Sequence, residues 1–517
     1  MLKKLRKLAF NRVFIVGFFI ALQFFIILSI VLELSEYFVF YYTAATILGI
    51  VVSLRIIYTN QNMAYKLAWI VIILLFPAFG VPIYMIFCGN RISTRARAKM
   101  NSITAITETA ADHNDDISEK LRALDPEAAR QSDYIKNTCL CPIYDNCETV
   151  YFESGEKMFA PMLEELEKAE KYIFLEYFII GPGVMWDKIH DILRKKIANG
   201  VDVRVIYDDM GCFSTLDRKF EAKLEAEGIG CRVFHKFIPV LSARQNNRDH
   251  RKICVIDGKC AFTGGINLAD EYINSKVRFG YWKDTGVMVR GSAAWSFTVM
   301  FLTMWDYLCH NTRRPNEDYA EYRPESTDQA DTLEHDGRCG FVQPYADNPL
   351  DYEAVGENIY LGIITSATRY VWIMTPYLII DEQMEQALCR AARSGVDVRI
   401  ITPGVPDKKI VNETTKSYYP FLIESGVKIY EFSPGFIHAK NFLCDDKYAT
   451  VGSVNLDYRS LYLHFECGLW MYKSECIDVI REDFEHTFKQ SQLIGEIKTG
   501  AFRQLFRGVL EFLAPLL

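Results

Sequence analysis

Two short stretches of this chain, HRKICVID at His250–Asp257 and HAKNFLCD at His438–Asp445, carry the same pattern H-x-K-x-x-x-x-D. Residues two apart on a β-strand lie on the same face, so each copy presents one imidazole and one ammonium to a common space. A turn of small residues follows each copy and ends in an asparagine, Asn267 or Asn455. Two copies that face each other would form a pocket with two histidines and two cations. Such a pocket suits the binding of a phosphodiester and the exchange of one of its ester oxygens.

The duplication extends beyond these two stretches. The pentapeptide GVDVR occurs at Gly200–Arg204 and again at Gly395–Arg399, and the apolar run Ile173–Ile180 corresponds to Ile373–Ile380. In both halves, apolar runs of strand length alternate with amphipathic helical stretches. This alternation predicts an α/β fold of two similar repeats, each a mixed sheet flanked by helices, behind an N-terminal helical membrane anchor.

Changes in composition divide the chain into five segments. The boundary between the repeats is rich in charge, proline and serine, which is typical of a connection rather than of a packed element. The predicted segments are a membrane anchor at 1–100 with two or three apolar helices, a polar linker at 101–138, the first repeat at 139–313, an inter-repeat linker at 314–337 and the second repeat at 338–517.

The predicted anchor contains three apolar stretches. Val13–Leu32 and Tyr37–Ile57 are each long enough to span a bilayer, which requires about 20 residues. Prolines and a glycine interrupt the third stretch, Leu67–Phe87, and predict a broken or re-entrant helix. Basic residues flank both ends of the anchor, so the positive-inside rule favours a multi-pass arrangement with the N-terminus and the catalytic region in the cytoplasm. Two spans and a re-entrant segment satisfy this rule.

Charge and cysteine content narrow the function classes. A net charge of −7 over 517 residues, half of them hydrophobic, disfavours both disorder and a role in coating nucleic acid. The cysteines follow no paired spacing, as expected of reduced thiols. A cluster at Cys139, Cys141 and Cys147 has neither a C-x-x-C pair nor nearby histidines. We therefore expect no metal ion and no cofactor.

Taken together, these motifs resemble the phospholipase D superfamily and, within it, the bacterial cardiolipin synthases. The resemblance runs from about Lys66 to Leu517. One departure is His464, because the family commonly has asparagine two residues before the equivalent of Glu466; the extra leading apolar stretch is another. The motifs that carry the resemblance are Asn247–Ile253, Gly264–Asn267, Trp282–Asp284, Thr375–Tyr377, and Asn455–Ser460 followed by Glu466.

The resemblance implies a mechanism with two histidines. By analogy, His250 is the nucleophile that forms a phosphohistidine and His438 is the general acid and base, although the two roles could be reversed. The rings are expected to start in opposite protonation states. The phosphate oxygens are expected to contact four side chains, those of Lys252, Lys440, Asn267 and Asn455.

Each histidine also needs an acceptor that orients its second ring nitrogen. In relatives this pairing crosses between the halves, which would join Glu466 to His250 and Asp284 to His438. The motif aspartates Asp257 and Asp445 complete the catalytic motif. They are expected to tie a strand to a turn rather than to touch the substrate.

The favoured activity is transfer of a phosphatidyl group between two phosphatidylglycerol molecules, which gives cardiolipin and glycerol in the bacterial cell membrane. The expected partners are phosphatidylglycerol and membrane lipids. Rival interpretations are a membrane-bound phospholipase D, a phosphatidyltransferase with another donor or acceptor, a superfamily nuclease, and a scaffold without activity. The C-terminal Phe502–Leu517 is amphipathic, and either a membrane-surface helix or a packed closing helix fits it.

Overall fold

A computed structural model describes residues 38–87, 94–112, 114–236, 246–309, 318–324, 340–495 and 500–516, with four single positions between 22 and 29. The first described elements are three helices, α1 (Phe38–Ile57), α2 (Met63–Leu75) and α3 (Pro77–Phe87). Among the described residues, α1 is the one helix long and apolar enough to cross a membrane. The predicted span Val13–Leu32 lies outside the described residues except at those single positions.

The third apolar stretch forms two short helices, α2 and α3, with a break between them. Pro77 is the first residue of α3, where its missing N–H costs no helical hydrogen bond. A Cβ atom on Gly80 would lie 2.6 Å from the Cα atom of Ile73, so a side chain at this position would push the two helices apart.

Hydrogen bonds at the start of α2 join the anchor to the second repeat. Asn62 caps α2 by accepting a hydrogen bond from the N–H of Ala64 at 2.9 Å. Its Nδ2 atom donates to the Asp381 carboxylate and to the Tyr462 hydroxyl, at 3.0 Å each. Because Tyr462 precedes the motif residue Glu466 by four positions, the anchor is tied close to a predicted site residue.

Three helices occupy the segment that the sequence analysis assigned to a polar linker. They are α4 (Thr94–Ala110), α5 (Asp115–Leu124) and α6 (Pro126–Cys139). Ile103, Leu121 and Ile135 recur on their inner faces and are buried. At the start of α6, Asp125 accepts a hydrogen bond at 2.8 Å from the hydroxyl of Tyr472 in the second repeat. The many charges of this segment therefore lie on the outer faces of packed helices.

The first repeat contains a seven-stranded sheet in the order β1-β9-β7-β6-β2-β3-β4. Its strands are β1 (Cys147–Phe152), β2 (Tyr172–Tyr177), β3 (Asp202–Asp208), β4 (Gly230–Phe234), β6 (Lys252–Ile256), β7 (Cys260–Gly264) and β9 (Gly286–Gly291). Two short strands, β5 (Arg248–Asp249) and β8 (Tyr281–Lys283), lie outside this sheet. The helices are α7 (Gly155–Lys168), α8 (Val184–Ala198), α9 (Phe220–Ala226) and α10 (Ala293–Leu308).

The second repeat has the same strand order, β10-β19-β17-β16-β11-β13-β14, extended by β20. The sheet strands are β10 (Phe341–Asp347), β11 (Tyr370–Met374), β13 (Asp397–Pro403), β14 (Lys428–Phe432), β16 (Asn441–Cys444), β17 (Tyr448–Gly452), β19 (His464–Tyr472) and β20 (Ser491–Leu493). Three short strands are β12 (Leu378–Ile379), β15 (Gly435–Ile437) and β18 (Leu456–Asp457).

Six helices belong to the second repeat and the C-terminal end. They are α11 (Val355–Ser366), α12 (Glu382–Arg393), α13 (Lys409–Glu424), α14 (Tyr458–Tyr462), α15 (Cys476–Lys489) and α16 (Ala501–Leu513). The predicted inter-repeat linker lies largely outside the described residues. Its described part, 318–324, contains a short 3-10 turn in which Tyr319 is buried and donates to Asp306 at 3.1 Å.

The two motif strands occupy equivalent central positions. β6 lies between β2 and β7, and β16 lies between β11 and β17, and every residue of both motif strands is buried. The largest apolar core contains residues of both sheets, including Phe174 and Val255 of the first and Leu469 and Trp470 of the second. The predicted fold class, an α/β protein with two mixed sheets flanked by helices, is confirmed.

Candidate active site

Each motif histidine directly follows a short strand that pairs with the opposite repeat. β5 runs parallel to the start of β19, and the N–H of His250 donates to the Phe465 carbonyl at 2.9 Å. In the same way β15 runs parallel to β8, and the N–H of His438 donates to the Lys283 carbonyl at 2.6 Å. These crossed pairs place each histidine beside the carboxylate that follows in the partner strand.

The first histidine lies against the carboxylate of Glu466. Its Nδ1 atom is 2.9 Å from both carboxylate oxygens. Glu466 is fully buried and also accepts hydrogen bonds from the hydroxyls of Ser453, at 2.5 Å, and Ser460. Because the carboxylate is held by two hydroxyls, it keeps the Nδ1 proton of His250 on its own side and leaves Nε2 directed away from it.

The second histidine has the equivalent partner in the first repeat. His438 Nδ1 lies 2.6 Å from the Asp284 carboxylate, whose other oxygen accepts the N–H of Thr285 at 2.9 Å. A Cβ atom on Gly265 would lie 2.0 Å from Asp284 Oδ1, so the second glycine of the turn makes room for this carboxylate. The structure thus brings together the residue pairs expected from the resemblance, with the expected crossing between the halves.

Two buried lysines accompany the histidines. Lys252 and Lys440 are each 1% exposed, and within the described part of the chain no carboxylate lies within salt-bridge distance of either ammonium. Burial lowers the pKa of Lys252 to about 8 and that of Lys440 to about 7, partly opposed in both by the nearby carboxylates. An anion bound beside these lysines would favour the charged form of both.

The pKa values of both motif histidines are lowered by burial and by charged groups of the two motifs. Burial lowers the pKa of His250 well below its usual range, and the charges of Lys252, Lys440 and His438 lower it further. Burial and Lys440 lower the pKa of His438 to about 4, against the opposing effect of Asp284. Both rings are therefore neutral at pH 7 without an anion. The expected opposite protonation states stay a prediction for the substrate-bound form, in which a phosphodiester adds negative charge.

Aromatic side chains pack against both imidazoles. Phe178 contacts the His250 ring with centroids 5.0 Å apart, and Tyr272 and Trp282 lie 5.6 and 5.4 Å from the His438 ring. These contacts restrict rotation of the rings and exclude water from their faces. No pattern in the sequence singles out Phe178 or Tyr272.

The motif aspartates lie at the opposite ends of the motif strands. Asp257 accepts the backbone N–H groups of residues 170, 171 and 172 at 2.7–2.8 Å. Asp445 accepts the equivalent N–H groups of residues 368, 369 and 370 at 2.7–2.8 Å, together with the Thr368 hydroxyl. Both aspartates adopt φ of +54°. Six residues separate Asp257 from His250, and seven steps of an extended chain span roughly 23 Å, so neither aspartate belongs to the group around the histidines.

The two asparagines expected at the phosphate have different environments. Asn267 accepts from the N–H of Ile179 at 3.0 Å and donates to the hydroxyl of Tyr272 at 2.8 Å, so both ends of its amide are engaged. The Oδ1 atom of Asn455 is buried and has no hydrogen-bond partner among the described residues. Contact of either asparagine with phosphate stays a prediction, and the Asn455 amide is the less committed of the two.

Sequence reasoning did not assign roles to Ser453 and Ser460. Ser453 occupies the position equivalent to Gly265, and both serines donate to Glu466. The sequence offers one signal for this role: Ser453 carries a hydroxyl at the position where the other turn has Gly265. It indicates that the longer glutamate needs additional donors, whereas the shorter Asp284 needs space.

Comparison with known proteins places these observations in a family. The sequence-family model described as "Cardiolipin synthase, PLD-like domain" matches residues 162–278 and 360–488. The family model described as "Phospholipase_D-nuclease N-terminal" matches residues 47–87. A cardiolipin synthase of Geobacillus kaustophilus is 33% identical over 476 residues, which cover 90% of this chain and 92% of the relative. A cardiolipin synthase of Geobacillus sp. is 35% identical over 89% of each chain.

An uncharacterized protein of Streptococcus mutans is 45% identical over 90% of this chain and 99% of its own length. Among solved structures, a phosphatidylserine synthase of Haemophilus influenzae matches with a TM-score of 0.55 and 14% identity, covering 75% of this chain and all of that one. At this identity the match supports the fold alone.

We predict that Glu466→Gln lowers turnover by about 10²- to 10⁴-fold. The amide of glutamine can present an N–H to Nδ1 of His250, which favours the tautomer whose proton is on Nε2. The measurement is the steady-state rate on a phospholipid substrate, with thermal unfolding as the control for folding. An activity within threefold of the unchanged chain would show that Glu466 does not set the tautomer.

We predict that Asp445→Asn destabilises the fold by about 2 kcal/mol, because the amide group cannot accept all the hydrogen bonds that the carboxylate receives. Activity per folded molecule should stay within a few-fold. Thermal unfolding in detergent and the rate normalised to folded protein are the two measurements. Loss of activity at unchanged stability would instead give Asp445 a direct role in the reaction.

Proposed function

The chain belongs to the cardiolipin synthase family of the phospholipase D superfamily, and from this premise we propose that it transfers a phosphatidyl group from one phosphatidylglycerol molecule to another, giving cardiolipin and glycerol. The observation that carries the proposal is the pair of imidazoles, each oriented by a carboxylate of the opposite repeat, beside two buried ammonium groups. One ring can act as nucleophile while the other transfers protons.

In the first half-reaction, Nε2 of His250 attacks the phosphorus atom of the donor lipid. The bond from phosphorus to the head-group glycerol oxygen breaks, and His438 gives its proton to that oxygen, so free glycerol leaves. A covalent phosphatidyl-histidine remains. Lys252 and Lys440 stabilise the negative charge on the non-bridging oxygens, which increases in the transition state.

In the second half-reaction, the roles of the acid and base reverse. The neutral His438 removes a proton from a head-group hydroxyl of the second phosphatidylglycerol, and that oxygen attacks the phosphatidyl-histidine. The phosphorus–nitrogen bond breaks, and cardiolipin leaves with His250 again neutral. Asp284 stabilises the imidazolium that forms on His438 in this step.

Binding of the lipid phosphate explains how His438 gains the proton that the first step requires. In the empty site its pKa is about 4, because of burial and the charge of Lys440. A phosphodiester anion between the motifs offsets the lysine charges and favours the imidazolium. Protonation is therefore coupled to occupation of the site, and the acid is formed where the leaving oxygen lies.

We predict that the purified chain converts phosphatidylglycerol, labelled in the head group and in an acyl chain, into free glycerol and cardiolipin in equal amounts. His250→Ala and His438→Ala should each lower this conversion by more than about 10³-fold, because each removes a group that acts in both steps. His190→Ala is the matched control, since His190 pairs with Glu227 outside the site. Thin-layer separation of the labelled products makes the measurement.

The products also separate the rival functions. Phosphatidic acid as the sole lipid product would identify a phospholipase D and contradict the proposal. Cardiolipin formed only after addition of phosphatidylethanolamine would indicate a different donor. Retained synthesis in either alanine variant would contradict the scheme with two histidines.

We also propose that the protein resides in the bacterial cell membrane as a multi-pass protein with its catalytic region in the cytoplasm. The helix α1, with Val39 and Phe40 each more than 70% exposed, supports membrane insertion. The basic residues on both sides of the anchor support the cytoplasmic orientation. A pocket held at the bilayer meets lipid hydroxyls at high effective concentration, which favours transfer over hydrolysis.

The C-terminal helix α16 supports a second membrane contact. Phe502, Leu505, Phe506 and Val509 follow helical spacing along one face and are 85%, 68%, 47% and 48% exposed. On the other face Arg507 is buried and bonds to Glu413 of α13 at 3.2 Å. The helix is therefore packed on one side, and we propose that its apolar side enters the bilayer interface.

We predict that Phe502→Asp combined with Leu505→Asp lowers the rate on phosphatidylglycerol vesicles several-fold, because charge opposes insertion of this face. The rate on monomeric short-chain phosphatidylglycerol should stay within twofold. Gln504→Asp, on an exposed position of the same helix, controls for the added charge. Equal losses on vesicles and on monomers would contradict a membrane contact.

A further inference from the structure

His464 lies beside this site, and the proposed mechanism does not use it. It lies at the first position of β19, and its ring centroid is 5.5 Å from that of His250. Its Nδ1 atom is 3.5 Å from the Glu466 carboxylate, beyond the length of a good N–H···O bond. The side chain is 11% exposed, and among the described residues neither ring nitrogen has a hydrogen-bond partner.

Buried polar atoms without partners are uncommon, because each one loses its bonds to water without replacement. An imidazole with two such nitrogens beside a carboxylate and a second imidazole forms a donor set of the kind that binds transition-metal ions. One ring nitrogen from His250, one from His464 and one oxygen of Glu466 lie within 4.8 Å of one another. Ligand atoms around a tetrahedral zinc ion are roughly 3.3 Å apart, so side-chain movements of about 1 Å would bring these three atoms to the spacing that zinc requires.

We propose that His250, His464 and Glu466 form a binding site for a zinc-class transition-metal ion, and that the bound ion inhibits the enzyme reversibly. Two imidazoles and one carboxylate form a donor set that suits Zn²⁺, whereas Mg²⁺ prefers oxygen ligands in octahedral geometry. Three protein ligands leave a fourth position for water. The ion would occupy the space between the carboxylate and the two rings, on the side of His250 that faces away from the phosphate.

The inhibition follows from the tautomer of His250. In the active form the ring proton is on Nδ1, which faces Glu466, and Nε2 has the lone pair that attacks phosphorus. A metal ion on Nδ1 needs the lone pair of that nitrogen, so the proton moves to Nε2. No proton or electron is lost from the ring. The nucleophile is removed because its lone pair becomes an N–H bond.

The surroundings make this site reversible rather than structural. The nearby ammonium groups of Lys252 and Lys440 repel a cation, which weakens binding. The hydroxyls of Ser453 and Ser460 already hold the carboxylate and compete with the ion for its oxygens. We therefore expect occupancy at micromolar free metal and release by a chelator.

The variant His464→Asn tests the proposal. Asparagine is close to histidine in size at its polar end and can donate to Glu466, but its amide is a weak zinc ligand. His190→Asn is the matched control, because it removes an imidazole that lies outside this group. The rates of the full-length chain and its variants are measured in detergent micelles containing phosphatidylglycerol. The rate of each variant with metal is divided by its own rate without metal, so that any effect of the substitution on turnover itself cancels.

We expect Zn²⁺ to inhibit the unchanged chain and His190→Asn at the same concentration. Inhibition of His464→Asn should require a concentration at least tenfold higher. Mg²⁺ should inhibit none of the three proteins in this range. Counting of bound zinc by equilibrium dialysis at a fixed free zinc concentration, without substrate, should show one equivalent fewer in His464→Asn. Coincident inhibition curves or equal zinc content would overturn the proposal. The inhibition rests on the proposed function, but the zinc count does not, so failure of one is distinguishable from failure of the other.

Discussion

The crossed pairing of short strands is the interaction on which the rest of the site depends. β5 of the first repeat binds the start of β19, and β15 of the second binds β8. Each pairing brings a histidine of one repeat against a carboxylate of the other. Among the described residues, each motif histidine is paired with a carboxylate of the opposite repeat, so the two copies form one site rather than two. The shared apolar core between the sheets holds this crossing in register.

The crossing explains why so many charged groups are buried at one place. Two lysines, two carboxylates and two histidines lie in the centre of the molecule, where transfer of each charge from water costs several kcal/mol, on the order of the total stability of a domain. The carboxylates are satisfied by N–H and hydroxyl donors, whereas the lysines have no carboxylate in salt-bridge contact within the described residues. In the proposed mechanism, the charge that completes the group is that of the lipid phosphate. Binding of the substrate would then relieve an electrostatic cost that the fold maintains.

Much of this architecture was predictable from the repeated pattern. Spacing of two between histidine and lysine predicted that both point to one face, and the second copy predicted a second, similar repeat. The resemblance supplied the crossed partners Glu466 and Asp284, which spacing alone could not choose. Asp257 was expected to tie a strand to a turn, and its carboxylate accepts the backbone N–H groups of residues 170–172.

Other features depend on contacts that no pattern in one sequence reveals. The amide of Asn267 is engaged by Ile179 and Tyr272, which come from different parts of the fold. The segment 101–138 reads as polar because its charges outnumber the few apolar residues that pack inward. The unpartnered ring of His464 becomes visible only when its distance from Glu466 is known. In each case the missing information was which side chains lie against one another in the folded chain.

The central claim is that both histidines act on one phosphorus atom. The most direct measurement is an experimental structure of the protein with orthovanadate, which adopts the geometry of a phosphoryl group in transfer. We predict one vanadium atom bonded to Nε2 of His250, with His438 within about 3 Å of the opposite apical oxygen and Lys252 and Lys440 at the equatorial oxygens. Vanadate bound by one repeat alone, with the other imidazole out of reach, would contradict the account.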